Sequence, residues 1–518
     1  MNFAEVSGNQ TRKNQNNMRS NTSNDMQKNL NLFILVYIAV FSLIPIFTRN
    51  VIPFDMVENL YWGKEWQLGY EKHPPLFAWI SQAFFRISFS IPESLYILTQ
   101  LNLLFGLVFV FKIAQLLYDD ETKSYAAVLI FMSSAAAILG NEKFNATTIL
   151  FSLLPATFYY FLRMIKFGRK TDAVLLGIFA ALAFIGKYIS LLFFGCMGIF
   201  LLINSDCRKF LRTPLPYIAI AVFLLGISWH IYWICSNDFV TIHYALEKST
   251  LAKKSPIFAF KFLLMMCFFF VTSLLAACFA FRFEKVSGEK KFKLSKMWRD
   301  TNFMWKRNEN YSTEEKFIIV MTLAPSVILF LSALFTGMRI GSFWGSAMMT
   351  TIGIYLVVIN RKSPNIASLF KFTKCMACFF AAVLIIKLGV LRQVLRDSHP
   401  SYAIDYRAVS RQIEQDYDRL FPNEKIENII SDKDTTPLHI YLKDYPSFYN
   451  PKIHRTQALF TEKGDNITNN IATFTYKNAD DIENFRKFYD GKIIFENDIN
   501  ICGEWNLHYA FLKNRATR

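Results

Sequence analysis

The chain alternates long apolar runs with short polar segments from residue 29 to residue 396. An α-helix needs roughly 20 consecutive apolar residues to cross the hydrocarbon core of a bilayer, and most of the runs approach that length. The pattern therefore predicts an α-helical polytopic membrane protein with about eleven transmembrane helices. The predicted spans are 31–48, 94–117, 124–140, 145–162, 171–186, 188–204, 215–235, 256–280, 317–336, 343–360 and 375–396.

Both ends of the chain lack such runs. Residues 1–28 are rich in Asn, Gln and Ser and have no apolar core, so they predict a disordered cytoplasmic tail rather than a signal peptide. Residues 397–518 alternate polar with aromatic positions and include helical patterns, which predicts a small C-terminal α+β domain outside the lipid. The strand-like stretches are Pro437–Leu442 and Ile471–Tyr476, and the helical ones are Ala408–Leu420 and Ala479–Phe488.

The distribution of basic residues predicts the orientation of the spans. The chain has 57 Lys and Arg against 40 Asp and Glu, a formal net charge of +17, and proteins with such a charge often bind nucleic acid. Here the basic residues cluster in alternate loops, as the positive-inside rule describes for cytoplasmic loops. We therefore expect a cytoplasmic N-terminus, an external first loop at 49–93, an external C-terminal domain and no nucleic-acid partner. The clusters are Arg12 to Lys28, Lys123, Arg163 to Lys170, Arg208 to Arg212, Arg282 to Lys316 and Arg361 to Lys374.

The first external loop concentrates the polar chemistry of the sequence. Asp55 and Glu58 are three residues apart, so on a helix both carboxylates share one face and can act as a base, a metal ligand or a donor-binding group. A solvated, capped helix start explains the same spacing. Lys72 and His73 directly precede Pro74–Pro75, a pair that restricts the backbone. A cation and a titratable ring at this position suit a contact with phosphate. A turn whose charged side chains extend into solvent explains the same residues. Two amphipathic stretches predict helices at the membrane interface, Asp55–Leu68 and Leu76–Phe89.

Further motifs follow the first loop in order. The whole set is Asp55 with Glu58, Tyr61-Trp62, Gly69-Tyr70, His73-Pro74-Pro75-Leu76 and Trp79, then Lys143 to Thr148 with Leu154-Pro155, Gly186-Lys187-Tyr188, Trp233 with Asn237-Asp238-Phe239, Phe343-Trp344, and Pro437 to Asn450. This set resembles the bacterial family-39-like glycosyltransferases, which are related to the protein O-mannosyltransferases and to the aminoarabinose transferase that modifies lipid A. The resemblance spans nearly the whole membrane region and part of the C-terminal domain.

The resemblance implies a GT-C fold for residues 29–396, a catalytic carboxylate in the first external loop and a sugar donor linked to a polyprenyl phosphate. Such a donor needs cations over its phosphate and a base for the acceptor proton. By match to the family, Asp55 is the expected base and Glu58 a supporting group. The implied donor-phosphate residues are Lys72, His73, Lys187, Tyr188 and Arg339, and the implied acceptor or sugar pocket contains Tyr61, Trp62, Tyr70, Asn145, Trp233 and Trp344.

Three of these residues also have plainer explanations. Lys187 lies between two short apolar runs and serves equally well as a charge that reaches the membrane interface. Arg339 lies in a flexible loop and can simply be solvated. Trp233, together with Trp229 and His230, fits an interfacial aromatic belt as well as a sugar pocket.

One departure from the family pattern concerns a metal ion. Many relatives carry a second acidic residue in the external loop before the fourth predicted span, where this chain has Asn145, with Glu142 one turn earlier. Asp55, Glu142 and Asn145 are therefore candidate ligands of a divalent metal ion, the one cofactor considered. An amide oxygen binds such an ion more weakly than a carboxylate does.

Together these expectations describe an inverting glycosyltransferase of a bacterial inner membrane. Its donor is a polyprenyl-phosphate sugar, and its acceptor at the periplasmic face is lipid A or the lipopolysaccharide core first, a protein second. A lipid-linked sugar transporter or flippase is the alternative without chemistry, but the mid-membrane charges and internal repeats of transporters are not evident here. A receptor or scaffold is a third class, and it leaves the patterned first loop unexplained.

Overall fold

The computed structural model describes most of the chain. The described residues are 3–49, 51–140, 142–251, 254–282, 311–360, 363–395, 403–449, 470–477, 479–489, 492–502 and 504–512. The predictions for the basic stretch 283–310, Asn141, Arg361, Lys362 and Asn450 lie outside these residues.

Helices form nearly all of the described chain up to residue 395. Three 3₁₀ turns join or extend them, at Pro92–Ser94, Lys209–Arg212 and Ser342–Thr351. The helices are α1 (Phe3–Thr48), α2 (Phe54–Lys64), α3 (Leu76–Ile87), α4 (Leu95–Tyr118), α5 (Glu121–Met132), α6 (Ala135–Gly140), α7 (Leu150–Phe167), α8 (Lys170–Gly186), α9 (Ser190–Ile203), α10 (Ser205–Arg208), α11 (Leu215–Ser236), α12 (Val240–Leu251), α13 (Ile257–Arg282), α14 (Thr313–Thr336), α15 (Ile352–Ile359) and α16 (Ile366–Leu395).

The polytopic helical prediction is confirmed, but the number of full-length spans differs. Among the described residues, six helices are long and apolar enough to cross a membrane, and a seventh counts if α9 and the segment Ser205–Arg212, bent by 91°, form one span. Leu76–Ile87 and Phe343–Ile359 are shorter apolar helices. The six are Gln27–Thr48, Pro92–Tyr118, Leu215–Ser236, Ile257–Phe281, Thr313–Thr336 and Ile366–Val390.

The other five predicted spans form shorter, broken or partly charged helices. The run 124–140 breaks at Ser133 between α5 and α6, and the run 343–360 divides into a 3₁₀ segment and α15. The run 145–162 begins as a helix only at Leu150, so α7 extends into the charged end that holds Arg163 and Lys166. Hydropathy alone does not detect such breaks, because serine and threonine hydroxyls can satisfy backbone groups locally.

The start of α1 also differs from the prediction. Residues 1–28 are expected to be disordered, but the helix begins at Phe3 and continues for 46 residues to Thr48. Its polar part contains no proline and only Gly8, so no strong helix breaker interrupts it. The apolar part matches the predicted first span.

The described C-terminal residues form the predicted α+β domain. A five-stranded sheet has the order β2-β1-β3-β5-β4, with β1 parallel to both neighbours and the β3–β5 and β4–β5 pairs antiparallel. Both helical predictions are confirmed. The elements are α17 (Tyr406–Leu420), β1 (Asn428–Ser431), α18 (Leu438–Tyr441), β2 (Ser447–Tyr449), β3 (Asn470–Tyr476), α19 (Ala479–Phe488), β4 (Ile493–Cys502) and β5 (Trp505–Leu512).

One strand prediction in this domain is wrong. The stretch Pro437–Leu442 alternates polar and apolar residues, yet it forms the helical turn α18. Proline has no N–H to donate to a sheet, and its fixed φ favours the first position of a helix. Ile471–Tyr476, the other strand-like stretch, lies within β3 as predicted.

The first loop forms a helical hairpin, α2 and α3, on which the C-terminal domain docks. The two helices approach closely at Gly63, where a Cβ atom would lie 2.6 Å from Gln82 Cβ and closer still to the carbonyl oxygen of Ala78. The C-terminal domain contacts both helices through Tyr445, whose hydroxyl donates to the carbonyl oxygen of Leu60 at 2.8 Å and lies 3.0 Å from the Gln82 side chain. Arg407 of α17 also pairs with Glu93, just after the hairpin, at 2.6 Å. The hairpin is therefore held between the membrane helices and the C-terminal domain.

Candidate active site

The site is built on α2, which begins directly after Pro53. The proline restricts the entry of the chain to an extended conformation, and Asp55 follows in the first turn. A negative charge there is stabilised by the positive end of the helix dipole. Glu58 lies one turn later, and the side chain of Tyr61 reaches back to it, 3.1 Å from hydroxyl to Oε1. This arrangement agrees with the prediction that Asp55 and Glu58 lie on one face of a helix.

Asp55 is held by the loop before α7. Lys143 Nζ lies 2.6 Å from Asp55 Oδ2, and the Asn145 amide nitrogen donates to the same oxygen at 2.8 Å. Between them, the carbonyl oxygen of Phe144 accepts a hydrogen bond of 2.8 Å from the buried side chain of Asn59 on α2. In the part of the chain that the structure describes, both contacts of Asp55 are on Oδ2, which leaves Oδ1 for another partner.

The charge state of Asp55 results from two opposed effects. Partial burial raises its pKa, but the neighbouring Lys143, the Asn145 amide and the nearby His73 lower it by more, so the pKa lies below the usual value. The carboxylate is thus ionised at neutral pH and can accept a proton.

Glu58 forms a second, more deeply placed ion pair. Lys72 Nζ lies 2.5 Å from Glu58 Oε1, and the glutamate side chain is only 12% exposed. Burial raises the pKa of Glu58 more than Lys72 and Tyr61 lower it, and the charge of Asp55 raises it further. Lys72 shows the opposite balance, because the attraction of Glu58 outweighs burial and raises the lysine pKa. The pair joins α2 to the turn before α3.

That turn folds back onto α2 through aromatic contacts. Tyr70 stacks on Trp62 with ring centroids 5.3 Å apart, and its hydroxyl donates to the Trp62 carbonyl oxygen at 2.6 Å. The backbone N–H of Tyr70 bonds to the carbonyl oxygen of His73 at 3.1 Å, and the His73 ring packs edge-on against Phe77. Lys72 lies 5.6 Å over the Trp62 ring. The structure thus brings seven predicted residues of the first loop together: Asp55, Glu58, Tyr61, Trp62, Tyr70, Lys72 and His73.

Lys187 forms a neighbouring cluster. It follows the last residue of α8, is buried, and donates to the hydroxyl of Thr147 while its ammonium lies 4.9 Å over the ring of Trp344. The N–H of Thr147 in turn bonds to Asn145 at 2.9 Å. Lys187 is therefore linked to Asp55 through the loop Lys143–Thr148. A lysine that only extended its charge to water would not make these contacts.

Tyr188 and Trp233 support the far side of the first loop. The Tyr188 hydroxyl lies 2.8 Å from Nε2 of His230, and Nδ1 of that ring lies 2.7 Å from the carbonyl oxygen of Leu68. Trp233 stacks on His230, and its ring lies so close to Gly69 that no side chain fits there. These aromatic residues pack on the loop instead of forming an exposed belt.

Arg339 lies apart from this group. It is exposed in the loop after α14, and its guanidinium lies 5.9 Å from the centroid of the Phe258 ring. No contact within the described residues joins it to Asp55 or Glu58. Its predicted phosphate role finds no geometric support.

The candidate metal ligands Glu142 and Asn145 make contacts with other protein groups. The Asn145 side-chain oxygen accepts the N–H groups of Thr147 and Thr148 at 2.9 and 3.0 Å, so it caps the start of the next helical turn. Glu142 pairs with Arg49 and Lys387 at 3.0 and 3.1 Å. No group of three His, Cys, Asp or Glu side chains within the described ranges is placed to hold a metal ion. The atoms of Glu142 and Asn145 that the prediction assigned to a metal ion thus have protein partners in this structure.

Lys143 was not predicted as a site residue, although the sequence contains a motif that could have indicated it. It belongs to the motif that contains Asn145 and lies two positions before it. Thr147 belongs to the same motif and was also missed. Asn59 was missed for a different reason: its contact with Phe144 joins segments distant in sequence, which no local pattern reveals.

Comparison with known proteins gives one match to a family model and several to solved structures. Residues 72–233 match the model described as dolichyl-phosphate-mannose-protein mannosyltransferase. That range contains Lys72, the loop Lys143–Thr148 and Lys187, and it ends at Trp233; it does not include Asp55. Among curated proteins, none matches the sequence significantly.

The solved structures decide the fold. ArnT from Cupriavidus metallidurans bound to undecaprenyl phosphate superimposes with a TM-score of 0.60 at 13% identity, covering 93% of this chain and 97% of that one. The chain has the ArnT fold. Apo ArnT from the same organism gives a TM-score of 0.53 at 13% identity, over 93% and 98% of the two chains. The archaeal oligosaccharyltransferase AglB from Archaeoglobus fulgidus, in complex with an inhibitory peptide and a dolichol-phosphate, gives only 0.36 at 12% identity, over 85% and 69%; we base no conclusion on it.

The predicted resemblance is therefore confirmed, both by the family model and by the ArnT fold. The fold match extends over the C-terminal domain as well as the membrane helices, since it covers 93% of the chain.

Proposed function

We propose that this protein is a glycosyltransferase that moves a sugar from a polyprenyl phosphate to an acceptor at the external face of the membrane. The observation that carries the proposal is the placement of Asp55, ionised and held through one oxygen by Lys143 and Asn145, at the start of an external helix. The match of residues 72–233 to a mannosyltransferase family and the ArnT fold support it.

The residues suit a single displacement with inversion. The acceptor oxygen attacks the anomeric carbon, the bond from that carbon to the phosphate oxygen breaks, and the phosphate leaves with the electron pair. Asp55 Oδ1 receives the acceptor proton. Lys72 and Lys187 lie in the two clusters that flank the Asp55 loop, and their charges stabilise the leaving phosphate.

The distribution of basic residues among the loops supports an orientation in which α2 and the C-terminal domain lie outside the cytoplasm. In a bacterial inner membrane this is the periplasmic face, where lipid A or the lipopolysaccharide core is the acceptor that we propose first. The resemblance of the ordered motifs to the aminoarabinose transferase that modifies lipid A favours such a lipid acceptor. The name of the matching family favours a protein acceptor, which is the second candidate.

The test is transfer by the purified protein in detergent or nanodiscs. Polyprenyl-phosphate sugars are supplied as donors, with lipid A or a mixture of secreted proteins as acceptors, and mass spectrometry measures the mass added. Mass added to lipid A supports the first acceptor, and mass added to protein supports the second. Donor movement across vesicles without any product would instead identify a transporter and overturn the proposal.

Replacing Lys143 by Met should move the acid limb of the pH–rate profile to higher pH. Lys143 lowers the pKa of Asp55, and without it burial dominates, so the pKa rises. The base is lost when pH falls through its pKa, so a raised pKa means that activity is lost at a higher pH. Transfer rates measured from pH 3 to 9 check this. Lys425→Met, at an exposed position of the C-terminal domain, should leave the limb where it is, and an unmoved limb in the Lys143 variant would contradict the assignment of Asp55.

A further inference from the structure

A short segment of the C-terminal domain, Pro437–Tyr449, packs against α2. Tyr445 is the anchor of this segment: its hydroxyl donates to the carbonyl oxygen of Leu60 at 2.8 Å and lies 3.0 Å from the side-chain amide of Gln82. Its backbone oxygen accepts a hydrogen bond from Lys64. Phe85 of α3 packs against its ring at 5.2 Å. A single buried residue thus joins the C-terminal domain to both helices of the hairpin.

The same segment reaches the candidate site through Tyr61. One side of the Tyr61 ring packs on Phe448 of β2, with centroids 4.7 Å apart, and its edge meets His439 of α18 at 6.0 Å. The hydroxyl at the other end of the side chain donates to Glu58, which pairs with Lys72. The contacts therefore form an unbroken path from the C-terminal sheet to the ion pair.

The groups along this path have defined charge states. Glu58 is faced by Lys72, Asp55 and the Tyr61 hydroxyl, while the C-terminal domain contributes Phe448 and His439 on the far side of the Tyr61 ring. His439 is fully buried, and burial lowers its pKa to about 3, so it is neutral at working pH. Burial and the charge of Glu58 raise the pKa of Tyr61, which keeps its proton. The path thus acts through packing and one hydrogen bond.

We propose that Tyr61 is a positioning residue that couples docking of the segment Pro437–Tyr449 to the Glu58–Lys72 pair, so that the C-terminal domain is a working part of the transfer site. This inference rests on the proposed glycosyltransferase function. The C-terminal domain places Tyr61, Tyr61 orients Glu58, and Glu58 holds Lys72 toward the donor phosphate.

Two substitutions at opposite ends of the path test the coupling. Tyr61→Phe keeps the ring packing on Phe448 but removes the bond to Glu58, and because that bond favours the ionised carboxylate, its loss raises the pKa of Glu58. We expect transfer to fall about tenfold, as for a hydrogen bond to a charged group. The part of the acid limb that reports Glu58, which lies at higher pH than the part that reports Asp55, should shift to still higher pH. The Phe448 ring packs on Tyr61 and His439 and not on Glu58 or Lys72. Phe448→Ala should nevertheless shift the acid limb of the pH–rate profile in the same direction.

The double variant distinguishes coupling from general damage. If Phe448 acts through Tyr61, combining Phe448→Ala with Tyr61→Phe should shift the limb no further than Tyr61→Phe alone. The matched control is Phe421→Ala, which removes an aromatic ring that packs on Tyr417 and Phe511 inside the C-terminal domain. It should lower thermal stability without moving the limb. An unmoved limb in Phe448→Ala, or equal and additive shifts in the double variant, would overturn the proposal.

A second readout separates this inference from the proposed function. Hydrogen exchange of peptides covering α2 should be faster in Phe448→Ala than in wild type, and unchanged in Phe421→Ala. If wild type transfers no sugar, the proposed function fails, and faster exchange of α2 still supports the coupling. Equal exchange in wild type and Phe448→Ala overturns the coupling whatever the transfer assay shows.

Discussion

Replacing Asp55 by Asn should lower the rate of sugar transfer by about 10²–10⁴-fold, the range typical for loss of a general base. The amide is nearly the same size as the carboxylate, so the packing of α2 changes little. It cannot accept the acceptor proton, however, and it presents no charge to Lys143, which lies 2.6 Å from the carboxylate in the wild type. The effect should fall on kcat more than on donor KM, because Asp55 acts on the acceptor.

The measurement is single-turnover transfer at saturating donor, followed by mass spectrometry of the acceptor. Asp481→Asn, at an exposed position of α19, is the matched control and should transfer at the wild-type rate. Circular dichroism and the melting temperature show whether each variant folds. Transfer by a folded Asp55→Asn protein at more than a tenth of the wild-type rate would exclude Asp55 as the base.

The sequence was most informative where one local rule decides the structure. Apolar length predicted the membrane helices, and the spacing of Asp55 and Glu58 placed both on α2. The order of the motifs predicted the ArnT-like fold and the grouping of the first loop with Asn145. These features depend on neighbours in the chain or on a pattern of residues, both of which a single sequence contains.

The sequence was least informative about what each polar side chain contacts. Asn145 was a reasonable metal ligand by residue type, but its oxygen caps the backbone of Thr147 and its amide faces Asp55. Glu142 was a candidate metal ligand, and it pairs with Arg49 and Lys387, which are distant in sequence. These partners are set by tertiary packing, and a local pattern cannot distinguish a ligand from a structural hydrogen bond.

The role of the C-terminal domain shows the same limit. The motif around Tyr445 was included in the resemblance, but nothing in its spacing indicates that the residue lies against Leu60 and Gln82. Tyr61 was predicted to line an acceptor or sugar pocket, and in the structure its ring packs on Phe448 and meets His439. Aromatic residues suit both uses, so only the packing decides between them.

Replacing Gly63 by Ala should lower both transfer and stability, although the same change usually stabilises a helix. Alanine in a helix is favoured over glycine by roughly 0.5–1 kcal/mol. At Gly63, however, the new methyl group would lie 2.6 Å from Gln82 Cβ and closer still to the backbone of Ala78, so α2 and α3 must separate. Overpacking of this kind costs about 1–3 kcal/mol. A displacement of about 1 Å in the helix that carries Asp55 can lower the rate about 10²-fold.

Gly195→Ala provides the opposite case in the same protein. Gly195 is also helical, in α9, but a Cβ atom there meets no other atom within 4 Å. This variant should retain full transfer and melt at or slightly above the wild-type temperature. The pair therefore compares one chemical change in two environments, read by melting temperature and by transfer rate. If Gly63→Ala behaved like Gly195→Ala in both measurements, the close crossing of α2 and α3 would have no part in positioning Asp55, and the site would tolerate movement of its first helix.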